Sequence, residues 1–257
     1  MKIFKSTERI SSTDISDNYV FQRCLKAYII AEEYLSGDVL ELGCGEAYYV
    51  RELSGKCNRY IAVDKYKSPV FETLNHNVEF IKMKIPPLQY IAFNSYDVVL
   101  CFQVVEHIRD DNAFVKDIYR VLKPGGTLLL STPNKALSLT DNPWHVREYS
   151  RIEIQTLLES YFPDVTIMGI CGNENVMEYY EKNKKSVQKI KRLDLFDLHS
   201  RLPRLLKRGI YTILNNRNRR NLMNKNKTVT SSLSHSDFWL SDFPEMNMLD
   251  FFCLARK

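Results

Sequence analysis

A glycine-rich turn and a later aspartate are the residues best suited to binding a ligand. Gly43-Cys44-Gly45 directly follows an apolar segment at 39–42, and Asp64 ends a second apolar segment 19 residues beyond Gly45. Glycine lets the backbone turn tightly and approach a ligand without a Cβ in the way. A carboxylate at the second position can accept hydrogen bonds from both hydroxyls of a ribose. The pair predicts a nucleoside-binding site, and the alternative is a plain turn beside an incidental surface aspartate.

Acidic residues surround this turn and narrow the class of ligand. Glu41 precedes it, Glu46 follows it, and Tyr48 stands where a dinucleotide-binding G-x-G-x-x-G motif has its third glycine. Two carboxylates are a poor setting for a pyrophosphate, which prefers the positive end of a helix. The loop therefore favours a cationic ligand with an amino group and a sulfonium, and it disfavours an NAD-dependent oxidoreductase.

A polar cluster further along the chain contains a candidate general base. His145 is followed by Arg147, Glu148 and Tyr149, after an apolar segment at 127–130. The unperturbed pKa of a histidine side chain lies near neutrality, so His145 can accept the proton of an attacking hydroxyl group. The alternative is that the cluster only pins its loop through side-chain hydrogen bonds. The spacing leaves both interpretations open.

Strands that alternate with helices must position these residues. Helical spacing or capping chemistry predicts helices near 17–35, 111–122 and 150–161. The central strands are almost wholly apolar, which is typical of a mostly parallel sheet covered on both faces in an α/β fold. Ligands bind such sheets beyond the carboxyl ends of the strands, where the residues above fall. Seven strands are predicted, at 39–42, 59–63, 78–81, 96–102, 127–130, 165–170 and 249–254.

Several motifs together resemble those of the class I S-adenosylmethionine-dependent methyltransferases. The resemblance covers about residues 20–170 and the final strand. Within this family the chain looks most similar to the branch of ubiquinone-biosynthesis and glycan-cluster O-methyltransferases, through Thr132-Pro133-Asn134 and the segment 142–150. The other motifs that carry the resemblance are the segments 39–45, 95–99, 105–107 and 120–126, with Asp64.

The resemblance implies a Rossmann-like methyltransferase fold with S-adenosyl-L-methionine as its cofactor. It implies that the glycine turn lines the methionine part, that Asp64 binds the ribose, and that residues near Met83 edge the adenine. Lys84 departs from the family, which often has an acidic or amide residue there to hold the adenine amino group. The full set of implied cofactor contacts is Glu41, Gly43, Cys44, Gly45, Asp64, Lys65, Met83, Phe102 and Gln103.

The segment that follows the fourth strand bears on metal binding. Some relatives have Glu-x-x-Glu-His there and bind a divalent cation, whereas this chain has Gln103 in place of the first glutamate. Mg²⁺ prefers carboxylate oxygens to a neutral amide. We therefore expect no metal site, with Glu106 and His107 capping the next helix and holding its loop.

Charge is distributed unevenly along the chain. Residues 176–227 contain fifteen basic and four acidic residues, while the rest of the chain has 21 basic and 27 acidic ones. The segment has two apolar-faced stretches with Arg201, Arg204, Lys207 and Arg208 among them. It is interpreted as a helical cap on the core, as a contact with an anionic membrane or a lipid-linked substrate, or, with less support, as a nucleic-acid contact.

Composition and motif positions set the expected organisation. The 44% hydrophobic and 26% charged residues exclude collagen-like and wholly disordered chains. Six scattered cysteines fit reduced thiols, and the first residues have no apolar signal region, so we expect a cytoplasmic protein, with the basic segment as a peripheral contact to the inner membrane face. The expected parts are an N-terminal helical segment (1–36), a Rossmann-like core (37–175), a basic helical insertion (176–235) and a return to the core (236–257).

The sequence predicts an enzyme that transfers a methyl group to an oxygen of a glycan, lipid-linked or quinone-like small-molecule acceptor. His145 is the candidate proton acceptor if the acceptor is a hydroxyl. Catalysis would come mainly from holding the two reactants in a near-attack geometry away from water. The alternatives are an RNA methyltransferase, which the basic segment favours and Gln103 does not, and a non-catalytic module that binds the cofactor or a nucleotide.

Overall fold

One mixed sheet of eight strands forms the centre of the molecule. The computed structural model describes residues 10–193, 203–225, 227–243 and 247–257. The apolar segments predicted as strands form strands with somewhat wider bounds. The strands are β1 (Asp38–Leu42), β2 (Arg59–Asp64), β3 (Val78–Lys82), β4 (Tyr96–Phe102), β5 (Leu122–Pro133), β6 (Asp164–Gly172), β7 (Phe238–Ser241) and β8 (Met248–Arg256).

The strand order is β3-β2-β1-β4-β5-β8-β6-β7. The first five strands are parallel, and β8 lies antiparallel between β5 and β6. The predicted Rossmann-like, mostly parallel fold is confirmed, but the sheet has eight strands instead of seven. The additional strand, β7, has only four residues and pairs with β6 at the edge of the sheet. Its apolar run, Phe238 to Leu240, is too short for periodicity to distinguish a strand from a helix or a loop.

Helices cover both faces of the sheet. The capping box predicted at Ser150 and Glu153 is present, and the Asp110 carboxylate accepts a hydrogen bond from the Ala113 N–H at 3.0 Å to begin the preceding helix. Ser68 and Pro69 have the N-cap and N1 chemistry that predicts a helix to about Leu74, but the structure forms only a single 3₁₀ turn there (Pro69–Glu72). The α-helices are α1 (Asn18–Ala31), α2 (Val50–Ser54), α3 (Asp111–Val121), α4 (Arg151–Glu159), α5 (Glu174–Leu193), α6 (Arg204–Lys225) and α7 (Lys227–Ser232).

Two apolar clusters, one on each face, hold the helices to the sheet. On one face Phe114 and Ile118 of α3 pack with Leu158 of α4. On the other face Tyr28 of α1 and Val176 of α5 belong to a single cluster with the sheet. Because α1 and α5 share this cluster, the N-terminal helix and the start of the basic segment are packed directly on the core.

Residues 123–126, whose Lys-Pro-Gly-Gly sequence is typical of a helix end and a turn, depart locally from that expectation. Residues 123–126 belong to β5, which begins at Leu122 as soon as α3 ends. Gly125 has a φ of 78°, which favours glycine, and its N–H donates to the carbonyl oxygen of Lys257 at 2.9 Å. The C-terminal residue therefore supplies the pairing that turns this segment into strand.

The basic segment is helical where the structure describes it. Helices α5, α6 and α7 span most of it, while Leu195, Phe196, Leu198, Arg201 and Leu202 lie outside the described residues. Among the described residues, no helix is both long enough and apolar enough to span a membrane. The domain boundaries and the role of this segment stay predictions.

Candidate functional site

The glycine turn forms an open cradle at the carboxyl end of β1. Gly43 has a φ of 80° and its N–H donates to the Val63 carbonyl at 2.7 Å, while a Cβ on it would lie 2.5 Å from Cγ2 of Val104. Gly45 has a φ of 56°, and a Cβ there would meet no atom within 4 Å. The first glycine is thus required by close packing, and the second leaves space in front of the backbone for a ligand.

Asp64 stands beside this cradle. One carboxylate oxygen accepts a hydrogen bond from the Gly45 N–H at 3.0 Å, and the other accepts one from the Tyr66 N–H at 3.0 Å. The Met83 N–H donates to the Asp64 carbonyl at 3.0 Å, which brings the end of β3 to the same edge. Lys65 is exposed next to Asp64, and its Nζ lies 5.6 Å from the centroid of the Tyr66 ring. The structure therefore brings together the predicted methionine, ribose and adenine sides of the cleft.

Cys44 and Glu41 of the predicted set have buried side chains beside the turn. The Cys44 side chain packs in the core and is 2% exposed, so its backbone is the part that faces the turn. Glu41 is also buried, and its two carboxylate oxygens accept hydrogen bonds from the hydroxyls of Tyr28 and Tyr60 at 2.7 and 2.8 Å. Burial raises the pKa of Glu41 to about 7, against the opposing effect of those hydrogen bonds. Glu41 is thus held by two tyrosine hydroxyls beneath the turn, and the cofactor contact that the resemblance implies for it stays a prediction.

Phe102 and Gln103 end β4 on the far side of the cradle. The Phe102 ring meets the Tyr28 ring edge to face, with their centroids 4.9 Å apart. Gln103 has a φ of 56°, an unusual backbone conformation for a residue with a side chain. Its N–H donates to the Ser131 carbonyl at 2.9 Å and its side-chain amide donates to the Ser131 hydroxyl oxygen at 3.3 Å. This strained residue turns the chain away from the sheet next to the cleft.

Hydrogen bonds fix the orientation and the protonated nitrogen of His145. The Trp144 N–H donates to Oδ1 of Asn142 at 3.1 Å, so the amide nitrogen of Asn142 faces Nε2 of His145 at 2.8 Å. Nε2 must then accept, and Nδ1 holds the proton and donates to Oε1 of Glu148 at 2.8 Å. Burial acts to raise the pKa of Glu148, but hydrogen bonds from His145 and Ser138 outweigh it and hold that pKa below its usual value. An ionised Glu148 thus fixes the tautomer of His145, with the Nε2 lone pair directed at the Asn142 amide.

The structure brings together three potential metal ligands, Glu106, His107 and His145, which the sequence did not predict as a group. One potential ligand atom from each lies within 4.8 Å of the others, and the His107 and His145 rings meet edge to face at 4.9 Å. Since Nε2 of His145 accepts from Asn142, a cation bound there would have to displace this amide. The expectation of no metal site stays a prediction, and unchanged turnover in EDTA would support it.

A cavity of about 210 Å³ connects the end of β4 with the basic segment. Gln103, Glu106 and His145 line it from the sheet side. The opposite walls come from helices, through Tyr19 and Arg23 of α1, Tyr179, Tyr180 and Asn183 of α5, and Tyr211, Asn215 and Arg219 of α6. The sequence predicts a cap here, and the structure adds that the cap supplies tyrosine, amide and arginine side chains to an enclosed space.

A buried ion pair in this cavity wall was missed from the sequence. Nε of Arg23 lies 2.8 Å from Oδ2 of Asp250, and the two side chains are 18% and 1% exposed. Burial raises the pKa of Asp250 to about 6, with Arg23 acting in the opposite direction. The sequence did contain a signal for this pair, which is the charged Asp250 inside the otherwise apolar last strand. A buried carboxylate requires a partner.

Comparisons with known proteins agree with this geometry. Residues 40–130 match the family model described as a methyltransferase domain. A protein of Mycobacterium tuberculosis named as a probable S-adenosylmethionine-dependent methyltransferase is 34% identical over 163 residues, which are 60% of this chain and 59% of that relative. The ubiquinone biosynthesis O-methyltransferase of Acinetobacter baumannii is 27% identical over 104 residues, 38% of this chain and 44% of the relative. The chain thus spans about three fifths of the length of the mycobacterial relative.

Solved structures confirm the fold. A methyltransferase from Thermotoga maritima, described as S-adenosylmethionine-dependent, superimposes with a TM-score of 0.55 at 13% identity, over 95% of this chain and 91% of that chain. The match over residues 40–130 agrees with the family resemblance seen in the motifs, and the shared fold agrees with the predicted architecture. Over its core, the chain is therefore similar to S-adenosylmethionine-dependent methyltransferases.

Proposed function

We propose that this protein transfers a methyl group from S-adenosyl-L-methionine to a hydroxyl oxygen of a small-molecule, glycan or lipid-linked acceptor. The family match supports the reaction class. The oxygen acceptor is supported by the placement of His145 in the cavity wall, and by the name of the ubiquinone O-methyltransferase relative. The observation that carries the proposal is the Asn142–His145–Glu148 chain of hydrogen bonds beside that cavity.

The cradle fits the cofactor on this structure's own geometry. The open space in front of Gly45 is the volume that a Cβ would fill, and the Asp64 carboxylate lies next to it as an acceptor for ribose hydroxyls. When bound, the cofactor supplies an electrophilic methyl group on a sulfonium. Gly43, Gly45 and Asp64 would hold it, while Gln103, which directly follows Phe102 at the end of β4, lines the acceptor cavity.

His145 would remove the acceptor's proton. An acceptor hydroxyl that replaced the Asn142 amide at Nε2 would donate its hydrogen there, and Nε2 would keep the proton as the oxygen bonds to the methyl carbon and the sulfur–methyl bond breaks to leave a neutral thioether. His145 then becomes an imidazolium, which the ionised Glu148 stabilises through Nδ1–H. Helices α1, α5 and α6 enclose the reacting groups and exclude water.

The basic segment is better accounted for as a wall of this cavity than as an RNA surface. The Arg208 guanidinium lies 4.3 Å from the centroid of the Trp144 ring and donates to the Pro143 carbonyl at 3.3 Å. Arg219 forms an ion pair with Asp17 at 2.7 Å. Both charges are directed to the protein itself, which favours a small acceptor over a nucleic acid.

A methyl-transfer screen against cell extracts, with products identified by mass, tests the proposal. Product should form with the parent protein and gain the mass of one methylene group per transfer. His145→Ala should lower kcat by about 10²–10⁴-fold, the usual contribution of a general base, with cofactor affinity unchanged. His76→Ala, at an exposed position outside the cavity, is the matched control.

Three outcomes would contradict the proposal. Cofactor binding without any product would favour the non-catalytic module. A methylated RNA as the sole product would favour the RNA enzyme. If His145→Ala and His76→Ala turned over equally, His145 would have no catalytic role.

A further inference from the structure

A second cavity lies on the other side of the loop that holds His145. Its volume is about 380 Å³, and its walls come from the loop at 141–146, from Arg109 and from Lys207 in the first turns of α6. Asn142 and His145 line both this cavity and the cavity assigned above to the acceptor. We infer that this second cavity binds a phosphate group of the acceptor.

The charges that face the second cavity favour an anion. Arg109 and Lys207 contribute two cations, and Asp141 is the acidic residue among the described residues that line it. Arginine and lysine are the side chains that bind phosphate oxygens through charge-assisted hydrogen bonds. The helix α6 begins three residues before Lys207, so the positive end of its dipole adds to the same potential.

Two neighbouring arginines, Arg147 and Arg208, are held by the protein itself and support the residues around the cavity. Arg147 is held in an ion pair with Asp111, and its guanidinium donates to the Arg109 carbonyl at 2.7 Å, which fixes the backbone of Arg109. Arg208 lies against the Trp144 ring on the other side of the loop. Contacts on both sides of the 141–146 loop therefore hold the two cationic walls, Arg109 and Lys207, in place.

The second cavity lies next to the cavity that the proposed function assigns to the acceptor. Its link to methyl transfer therefore rests on that proposed function. A phosphate in the second cavity and a hydroxyl at His145 would lie on either side of one short loop. The acceptor class that follows is a phosphate ester with a hydroxyl nearby, either a soluble sugar phosphate or a phosphate-linked lipid. Phosphate binding itself requires neither cofactor nor turnover.

Calorimetric titration of the apo protein with inorganic phosphate at low ionic strength tests the site directly. The parent should bind saturably, and Arg109→Ser with Lys207→Ser should weaken binding by about tenfold or more, because two charge-assisted hydrogen bonds are lost. Lys67→Ser with Lys185→Ser removes the same charge at exposed positions outside the cavity and should bind like the parent. Asp141→Asn should strengthen binding several-fold, a gain that a misfolded variant cannot imitate.

Two further arms distinguish the sources of the phosphate. Glucose 1-phosphate is compared with glucose, and phosphatidylcholine vesicles with phosphatidic acid are compared with vesicles without it. Preference for either phosphate-bearing partner, lost in the Arg109/Lys207 variant, supports the site and identifies its source. No saturable binding by the parent, or equal loss in the Lys67/Lys185 control, would overturn the inference. Methyl transfer observed without phosphate binding would overturn this inference alone, and phosphate binding without methyl transfer would overturn only the proposed function.

Discussion

Asp64 holds the glycine turn and also presents its carboxylate to the cleft. Its two oxygens accept hydrogen bonds from the N–H groups of Gly45 and Tyr66, and these bonds fix the carboxylate beside the open cradle. The same group is the predicted partner of the ribose hydroxyls. Loss of this side chain would therefore affect both the turn and the ligand.

Asp64→Ala should weaken binding of S-adenosylmethionine while the protein stays folded. Charge-assisted hydrogen bonds contribute about 1.5–3 kcal/mol each, so we expect at least a tenfold increase in Kd, measured by calorimetry. Asp242→Ala, at an exposed position, is the control with the same change of side chain. Unchanged affinity of the Asp64 variant would remove Asp64 from the cofactor site.

Glu41 makes stability depend on pH. Its pKa is about 7 in the folded protein, above the ordinary value of 4.5, because the carboxyl is buried. Between these two values the unfolded chain has released its proton while the folded protein still holds it. The free energy of unfolding should therefore fall as the pH rises from 4.5 to 7.

Glu41→Gln should remove this contribution. Urea unfolding of parent and variant across that pH range should show the parent losing stability relative to the variant, at about 1.4 kcal/mol for each unit of pKa shift. Asp250, whose pKa is raised to about 6, acts in the same direction in both proteins and cancels in the comparison. Parallel pH profiles for the two proteins would show that Glu41 titrates normally.

At the scale of elements, helix α6 of the basic segment contacts the loop that holds the candidate base, His145. The Tyr211 and Thr140 hydroxyls lie 3.2 Å apart, and Arg208 contacts Trp144 and Pro143. No residue of α6 contributes to the glycine cradle or to Asp64 in the contacts described above. The helix is thus placed to position the acceptor side without building the cofactor side.

Replacing Arg201, Arg204, Lys207 and Arg208 with Ser should leave cofactor affinity nearly unchanged and lower methyl transfer to the native acceptor. Binding to anionic vesicles, if the segment contacts a membrane, should fall by about 1 kcal/mol per basic residue and less at high salt. The single variant Arg208→Ser separates the loss of turnover from the loss of vesicle binding, because it should lower turnover by releasing the Trp144 loop. Parent-like turnover and parent-like vesicle binding at low salt would leave the segment as a structural cap only.

At the scale of the whole molecule, the class of cofactor can be identified by which ligand raises the free energy of unfolding. A ligand that binds only the folded state adds about 2.7 kcal/mol at a hundredfold excess over its Kd. For a protein of this size S-adenosylhomocysteine should therefore raise Tm by about 5–10 °C in differential scanning fluorimetry. NAD should leave Tm unchanged, because Tyr48 replaces the third glycine of the dinucleotide motif. An equal shift with NAD would contradict the assignment of the cradle.

The sequence by itself determined the features that depend on neighbouring residues. Apolar runs predicted β1, β2 and β4, because a strand that is buried on both faces needs an apolar side chain at nearly every position. The Ser150–Glu153 capping box was predictable because it satisfies backbone groups within a few residues. The glycines of the turn were predictable because their positive φ angles are a property of that residue type. The cofactor side of the site, which lies at the ends of these strands, was largely predictable.

Tertiary structure alone decided the acceptor side. Arg23 and Asp250 come from opposite ends of the chain, and they pair because β8 inserts between β5 and β6 beneath α1. The tautomer of His145 is set by Asn142 and Glu148, and both cavities take part of their walls from α6, which follows strands β1–β6 in the chain. Contacts of this kind leave no periodic signal, because side-chain packing between distant segments depends on how whole elements are placed and not on the spacing of residues within them.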